Sequence, residues 1–376
     1  MKAELQRKRG MRVSLSRLTY FVLLVVGGSL SAQSNPDLAA IQLPPGFSIE
    51  IWSDEVPNAR SLALGDNGTV FVATRRDGRV YALIPRSGET PVVVTLAEKL
   101  DMPNGIAFHD GDLYVAEKHR IIRYTNIEAD LESISEPEVI IDSLPTESHH
   151  GWRYIDFGPD GKLYISIGAP CNICDKDGFA NISRLNADGS EQEIVAHGIR
   201  NSVGFAWHPV SNELWFTDNG RDMLGDDVPP GELNHAPRFG MHFGYPYCHG
   251  GEIPDPEFGD ERNCDEFVAP VQKLPPHVAP LGMLFYSGGM FPDDYTGQIF
   301  IAEHGSWNRT EKVGYRISLV RLAQGKAVSY GVFAHGWLQG EEASGRPVDL
   351  LVLDDGSMLV SDDKNGVIYR ISYSRS

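Results

Sequence analysis

Residues 149–168 read HHGWRYIDFGPDGKLYISIG, and the second half of this stretch decides the fold. A turn of Pro, Asp and Gly at 159–161 supplies the backbone angles that a hairpin needs, and the apolar residues at 163–165 have the propensity of a strand. The first half begins with His149 and His150 and occurs once, whereas the turn followed by a strand recurs along the chain. The recurring half therefore indicates the scaffold, and the His-His half is a candidate for chemistry.

The turn-and-strand unit occurs six times, each time with an apolar triplet around a large central residue. The triplets are Val70-Phe71-Val72, Leu113-Tyr114-Val115, Leu163-Tyr164-Ile165, Leu214-Trp215-Phe216, Ile299-Phe300-Ile301 and Met358-Leu359-Val360. Repeats at about 40–50 residues with several short strands each are typical of β-propeller blades, although a β-sandwich or a solenoid has a similar local pattern. We predict an all-β, six-bladed β-propeller, in which an early strand near 47–51 completes the last blade and closes the ring.

The first 32 residues differ from the rest of the chain. Six basic side chains precede an apolar run at 20–26, and small residues at 29–32 offer a cleavage site, which is typical of a secretory signal peptide. We therefore expect a periplasmic or secreted protein whose residues 33–376 form a single propeller domain. The apolar run is short for a membrane span, so no stable membrane insertion is expected after its removal.

The remaining chain is strongly acidic. Removal of 1–32, with six basic residues and Glu4, lowers the formal net charge from −18 to about −23. Nucleic acid and anionic lipid both need a basic surface, so neither is expected as a partner. A small anionic ligand held by a few arginines remains compatible with this charge.

The chain contains four cysteines, an even number that favours two disulfides in an exported protein. Pairing by proximity gives Cys171 with Cys174 and Cys248 with Cys264. The second pair falls in the long gap between the fourth and fifth triplets, where we expect a loop insertion at about 221–290. Because Cys174 is followed by aspartate and not by histidine, the first pair is no c-type haem motif, and electrons would need a separate acceptor.

Four short motifs interrupt the repeat at equivalent places in different blades. They are His149-His150, Gly198-Ile199-Arg200-Asn201, the acidic run that begins at Thr217 and continues past Asp222, and Ser344-Gly345-Arg346-Pro347-Val348-Asp349. A histidine can act as a base, an arginine beside an amide can hold a carboxylate, and acidic loops with turn carbonyls suit Ca²⁺. A surface histidine, a capped turn and a solvated loop are the structural alternatives. In a propeller these motifs would converge at one end of the central channel.

These motifs, in this order, resemble the soluble glucose and sorbosone dehydrogenase family across nearly the whole mature chain. The resemblance also rests on Glu232-Leu233-Asn234, Phe243-Gly244-Tyr245-Pro246 and Ala302-Glu303-His304-Gly305-Ser306-Trp307-Asn308-Arg309. It implies a six-bladed propeller that uses pyrroloquinoline quinone and Ca²⁺ to oxidise the C1 hydroxyl of aldose sugars, or related aldehydes such as sorbosone.

The resemblance also implies roles for individual residues. His150 matches the catalytic base. The positions that match cofactor-contacting residues are Arg200, Asn201, Asn219, Arg309 and Arg346. The backbone carbonyls that match Ca²⁺ ligands are those of Gly220 and Arg221.

Two departures from the family concern the choice of sugar. Pro103 stands where the glucose-oxidising members have a glutamine, and the run that holds His304 and Arg309 replaces a lysine, whose cationic role either residue can take.

Two other functions stay open. A calcium-dependent lactonase needs a central carboxylate cluster and leaves Arg200 and Arg346 without a role. A non-catalytic propeller that binds glycans or proteins gives His150 no reason to meet these arginines.

Overall fold

Short, mainly antiparallel strands are the main secondary structure of residues 36–375, the part of the chain that the computed structural model describes. The predicted signal peptide at 1–32 lies outside the described residues. Within them, no helix has the length and apolar character needed to span a membrane.

Six sheets form the six blades of a β-propeller, as the triplet repeat predicts. Blade 1 consists of Ala59–Leu64, Val70–Thr74, Val80–Arg86 and Glu89–Ala97. Blade 2 consists of Gly105–His109, Asp112–Ala116, Ile121–Tyr124 and Glu138–Ile141. Blade 3 consists of Ile155–Phe157, Leu163–Ile167, Asn181–Leu185 and Glu193–His197, with Met241–His242 added in parallel at its edge.

The remaining blades come from the second half of the chain and from its first strand. Blade 4 consists of Phe205–Trp207, Leu214–Asp218, Gly231–Ala236 and Gln272–Leu274. Blade 5 consists of Pro280–Phe285, Ile299–Glu303, Arg316–Ala323 and Lys326–Ala334. Blade 6 consists of Pro347–Val352, Met358–Asp362, Val367–Tyr373 and Phe47–Ser53. Smaller elements are the hairpins Cys248–His249 with Ile253–Pro254 and Leu338–Gln339 with Glu342–Ala343, and 3-10 turns at Leu38–Ala40, Ile127–Ala129, Cys264–Glu266 and Asp293–Tyr295.

Each predicted triplet lies in the second strand of its blade, where its residues are buried. The first strands of the blades lie innermost and contact one another around the axis. Six apolar clusters fill the spaces between neighbouring blades. Because a blade has apolar side chains on both faces, it can bury them only between two neighbours.

The ring closes through the N-terminal strand, as predicted. Phe47–Ser53 pairs antiparallel with Val367–Tyr373, with Phe47 opposite Tyr373. The ring of Phe47 also lies 4.8 Å from that of Phe291 and 5.0 Å from that of Phe333, centroid to centroid. Aromatic contacts of this kind contribute about 0.5–1.5 kcal/mol each beyond the area they bury, so this closure is well anchored.

The predicted insertion at 221–290 is too wide, because this range contains three blade strands. The strand Gly231–Ala236 has no apolar run in the sequence because it carries buried polar residues. One of them is Asn234, whose Nδ2 donates to Glu232 Oε2 at 2.9 Å. The irregular segment is confined to 237–271, between the third and fourth strands of blade 4. Both predicted disulfides are present, Cys171 with Cys174 and Cys248 with Cys264.

Candidate active site

A cavity of about 450 Å³ lies at one end of the propeller axis. At this end the first strand of each blade begins and the second strand ends. Its arginines are Arg60, Arg75, Arg76, Arg200, Arg221 and Arg346. Among the described residues that line it, the one carboxylate is that of Asp222. A larger cavity of about 660 Å³, near the hairpin at 86–89, contains none of the predicted site residues.

The structure brings nearly all of the predicted site residues to this cavity. Those that line it are His150, Arg200, Asn201, Asn219, Gly220, Arg221 and Arg346. Four motifs from blades 3, 4 and 6 thus meet at one end of the axis, although they are up to about 200 residues apart in the chain.

Arg309, which the family resemblance places at the cofactor, is the exception: it is absent from the described lining of this cavity. Its Nε donates to the carbonyl of Asp226 at 3.3 Å, and its Nη1 donates to the carbonyl of Glu311 at 2.7 Å. The guanidinium therefore ties two loops together and is absent from the described lining of the cavity. His304, from the same sequence run, lines the cavity in its place.

His150 is buried and has a defined tautomer. Its Nδ1 lies 2.8 Å from the carbonyl oxygen of Ala169, which can only accept, so Nδ1 carries the proton and Nε2 has the lone pair. Burial first, and then the charge of Arg200, hold the pKa of His150 well below its usual value. A Cβ at Gly168 would lie 2.7 Å from that of His150, so only glycine leaves the ring its position. The side chain is a neutral imidazole at neutral pH.

Arg200 is almost fully buried, and the protein itself uses all of its donors. Its Nε and Nη2 donate to the carbonyl and to Oδ1 of Asn172, at 2.9 and 2.8 Å. Its Nη1 donates to the carbonyls of Gly220 and Asn219, at 2.9 and 3.2 Å, and Nη2 also pairs with Asp222 at 3.0 Å. Arg200 therefore fixes the turn at 219–222 and gives the cavity positive potential.

The carboxylate of Asp218 orients the neighbouring backbone. It accepts the amide N–H of Arg200 at 2.9 Å and that of Asn201 at 2.7 Å. Burial, together with the nearby carboxylate of Glu232, raises the pKa of Asp218 to about 7. On the next strand position, Asn219 Nδ2 donates to the carbonyl of Asn201 at 3.0 Å. The amide side chain of Asn219 thus has a structural partner as well as a place at the cavity.

Both disulfides flank the turn at 219–222. Asn172 lies inside the Cys171–Cys174 loop and accepts the amide N–H of Asp222 at 2.8 Å. On the other side, Asp255 accepts Arg221 Nη1 at 2.6 Å, and His249 Nε2 lies 2.8 Å from the same carboxylate oxygen. His249 directly follows a cysteine of the second disulfide. The turn is therefore held from both sides.

Asp363 is a functional candidate that the sequence analysis missed. It accepts Arg60 Nη1 at 3.1 Å and Arg346 Nη2 at 2.9 Å, and it lies 3.0 Å from His304 Nε2. Burial opposes ionisation, but these three groups outweigh it and hold the pKa of Asp363 well below its usual range. Arg60 begins the inner strand of blade 1 much as Arg200 and Arg346 precede those of blades 4 and 6, so a comparison of the repeats could have found it.

Three buried nitrogen donors on the cavity lining have no hydrogen-bond partner among the described residues. They are Trp152 Nε1, Arg221 Nε and Arg346 Nε. An unpaired buried donor costs about 1–3 kcal/mol, so the lining suits a ligand rich in acceptor oxygens. A polycarboxylate such as pyrroloquinoline quinone has this chemistry.

A metal ion has fewer ligands here. Among residues 36–375, no group of three or more His, Cys, Asp or Glu side chains could hold one. Gly220 and Arg221, whose carbonyl oxygens are the predicted Ca²⁺ ligands, both line the cavity, and these oxygens carry no net charge.

The fold places the chain in the class of six-bladed β-propellers, with an arginine-rich cavity at one end of the propeller axis. The chain belongs to the TrAA12-like family, whose model matches residues 41–374. This membership, together with the solved structures below, confirms the family resemblance drawn from the motifs.

Three similar proteins illustrate the relationship. A protein of Borreliella burgdorferi, itself uncharacterised, is 34% identical over 376 residues, which cover 95% of this chain and 98% of that one. The Trichoderma reesei carbohydrate-active enzyme of family AA12 superposes with a TM-score of 0.78 at 20% identity, covering 89% of this chain and 98% of the other. The holo form of the pyranose dehydrogenase PQQ domain from Coprinopsis cinerea gives 0.75 at 19% identity, covering 88% and 97%.

Proposed function

We propose that the protein is a quinoprotein oxidoreductase that oxidises the C1 hydroxyl of aldose sugars, or related aldehydes such as sorbosone. The observation that carries the proposal is the meeting of a neutral, buried His150 with an arginine-lined cavity that has three unpartnered buried donors. A similar solved structure is the holo form of a PQQ domain, which supports this choice of cofactor. The two disulfides suit the periplasmic or secreted location that we propose.

The residues that would hold pyrroloquinoline quinone are those that line the cavity and have an unpartnered N–H. Arg346, Arg221 and Trp152 each have a free buried N–H, and charged arginines match carboxylates in both charge and shape. Arg200, whose own donors are occupied, contributes potential and holds Asn201 and Asn219 in place. When bound, the quinone supplies a two-electron acceptor that no amino-acid side chain provides.

Ca²⁺ would be held by the carbonyl oxygens of Gly220 and Arg221. The Gly220 oxygen already accepts Arg200 Nη1, and its second lone pair remains for a cation. Because these ligands are neutral, the charge that retains Ca²⁺ must come from the carboxylates of the quinone and from Asp222. We therefore propose that the cation and the quinone bind cooperatively.

His150 acts as the base in this reaction. With Nδ1–H donating to Ala169, the lone pair of Nε2 is available for the proton of the sugar O1 hydroxyl. The charge of Arg200 disfavours the imidazolium, so the proton is released again rather than stored. The electrons pass to a separate acceptor molecule after each turnover.

A lactonase is the second candidate in chemical terms, but the site favours it less. Such a hydrolase needs several carboxylates around a metal on the axis, and the described lining of the cavity offers Asp222, which pairs with Arg200 at 3.0 Å. A donor-rich lining instead suits an anionic cofactor.

The test is a titration of the purified protein with pyrroloquinoline quinone, with and without Ca²⁺, followed by dye reduction with a panel of aldoses. We expect stoichiometric quinone binding and sugar-dependent reduction. In His150→Ala, quinone binding should persist while turnover falls by about 100-fold or more. A protein that binds no quinone under these conditions is not a quinoprotein, and the proposal then fails.

A further inference from the structure

Two arginines at the end of the second strand of blade 1 lack a carboxylate partner. Arg75 is half-buried and Arg76 is exposed, and both line the cavity. Neither forms a salt bridge with any described residue. Asn58 Oδ1 accepts both of their backbone N–H groups, at 3.1 and 2.6 Å, so the turn that presents them is fixed. These cations are built into the site.

Their surroundings carry excess positive charge. Arg60 and Arg346 line the same side of the cavity, and both already share the single carboxylate of Asp363. Burial first, and then the charges of Arg60, Arg76 and Arg346, lower the pKa of Arg75 to about 10 against the opposing effect of Asp363. By contrast, the arginines of blade 4 have acidic partners of their own. The positive charge of the cavity is therefore uneven: on the side of blade 1 it exceeds the negative charge of the neighbouring carboxylate.

Trp152 contacts both Arg75 and His150, the proposed base. The guanidinium carbon of Arg75 lies 4.6 Å from the centroid of the Trp152 ring, and that ring lies 5.7 Å from the ring of His150. A sugar with its C1 hydroxyl at His150 would therefore extend along Trp152, and a substituent at its far end would meet Arg75.

We infer that Arg75 and Arg76 bind an anionic substituent of the sugar, so the preferred substrates are acidic sugars that carry a carboxylate or a phosphate. This inference rests on the proposed function and names its substrate class. The oxidation itself balances as for a neutral sugar: the C1–H electron pair passes to the quinone, the O1 proton passes to His150, and a C1–O1 double bond forms to give the lactone.

The first experiment compares matched substrates: glucuronate, glucose 6-phosphate and glucose. For the wild type we expect kcat/KM to favour an acidic sugar over glucose by about 10- to 100-fold, since two charge-assisted contacts are gained. The variant Arg75→Gln/Arg76→Gln should lose this preference, with a larger fall in kcat/KM for the acidic sugars than for glucose. Arg238→Gln, an exposed arginine outside the cavity, is the control and should behave like the wild type. The two acidic sugars show whether carboxylate or phosphate is preferred.

A second measurement does not depend on turnover. Calorimetric titration of the apo protein with glucuronate and glucose 6-phosphate should show binding that weakens in the double variant and at high salt. Equal binding and equal rates for acidic and neutral sugars would overturn the inference but leave the proposed function intact. If the double variant instead loses affinity for the quinone, these arginines hold the cofactor, and the inference is wrong. If no quinone binds, the proposed function fails, and the titration still decides whether acidic sugars bind at Arg75 and Arg76.

Discussion

The chemistry of His150 depends on two neighbours. Ala169 fixes its tautomer through a 2.8 Å hydrogen bond, and burial beside Arg200 keeps the ring neutral. The protonation state of His150 therefore differs from that of a solvent-exposed histidine, which is partly protonated near pH 6.5.

We expect this difference to set the pH dependence of the reaction. The neutral form is the base, and its pKa is lowered, so kcat/KM should hold from neutral pH to well below 6.5 before it falls on the acid side. A pH–rate profile of dye reduction, with quinone occupancy verified at each pH, measures this. An acid limb centred at or above 6.5 would contradict the prediction, because it would mean that the base is solvent-exposed.

Some of these residues could be found from the sequence and others could not. His150, Arg200 and Arg346 lie in short motifs that break the repeat, so they were recognisable. Arg60 and Asp363 are isolated charges whose significance comes from their pairing across the ring, at 3.1 Å in space but 303 residues apart in the chain. No local pattern reports a contact of that kind.

At the scale of elements, the turn at 219–222 holds the site together. Asn172, within the Cys171–Cys174 loop, contacts both Arg200 and Asp222 through its side chain. Asn172→Ala would leave two buried donors without a partner, at a cost of about 1–3 kcal/mol. We expect the affinity for quinone with Ca²⁺ to fall about tenfold or more.

The control for this variant is Asn67→Ala, at an exposed turn of blade 1. Fluorescence titration with quinone measures affinity, and thermal unfolding shows whether the fold is intact. Asn172→Asp, which keeps an acceptor oxygen for Arg200, should recover part of the affinity. If Asn172→Ala binds quinone as tightly as the Asn67 variant, then Asn172 does not position the site.

The same turn carries the proposed Ca²⁺ ligands. Because the carbonyls of Gly220 and Arg221 carry no charge, Ca²⁺ alone should bind weakly, and the quinone should tighten it. By reciprocity, removal of Ca²⁺ with a chelator should weaken quinone binding by the same factor. Calorimetric titrations of each ligand in the presence and absence of the other measure the coupling. Independent binding of the two would show that the cation lies elsewhere.

Elements with an apolar signal were predicted well, and elements without one were not. All six triplets became second strands, because those strands are buried on both faces between neighbouring blades. Gly231–Ala236 was assigned to a loop, since its buried Glu232 and Asn234 satisfy each other and leave no apolar run. The run at 304–309 was placed in the site, and its residues 304–307 line the cavity, whereas Arg309 is absent from the described lining.

At the scale of the whole molecule, buried carboxylates make stability depend on pH. Burial raises the pKa of Asp156, Asp218 and Asp349 from an ordinary 3.8 to about 7 in each case. Their contribution to the free energy of unfolding is fully present below about pH 4 and is lost as the pH rises through 7. Asp363, with its lowered pKa, contributes in the opposite sense and loses its effect only in acid.

We therefore expect these three carboxylates to contribute less to stability at pH 8 than at pH 5. Asp156 is the best residue for the test, because its one hydrogen bond is from the adjacent N–H of Phe157, which an asparagine oxygen can also accept. Asp156→Asn should have a higher free energy of unfolding than the wild type at pH 8, and this difference should be smaller at pH 5, as measured by urea unfolding. An equal difference at both pH values would mean that Asp156 ionises normally.

The closure of blade 6 sets the order of events during synthesis. Its sheet joins Phe47–Ser53, near one end of the chain, to Val367–Tyr373, at the other. The contact of Arg60 with Asp363 spans nearly the same interval. No part-made chain can therefore contain this cavity, however many blades it has completed. A quinone that binds as we propose would therefore meet a complete site only after these two distant strands have paired.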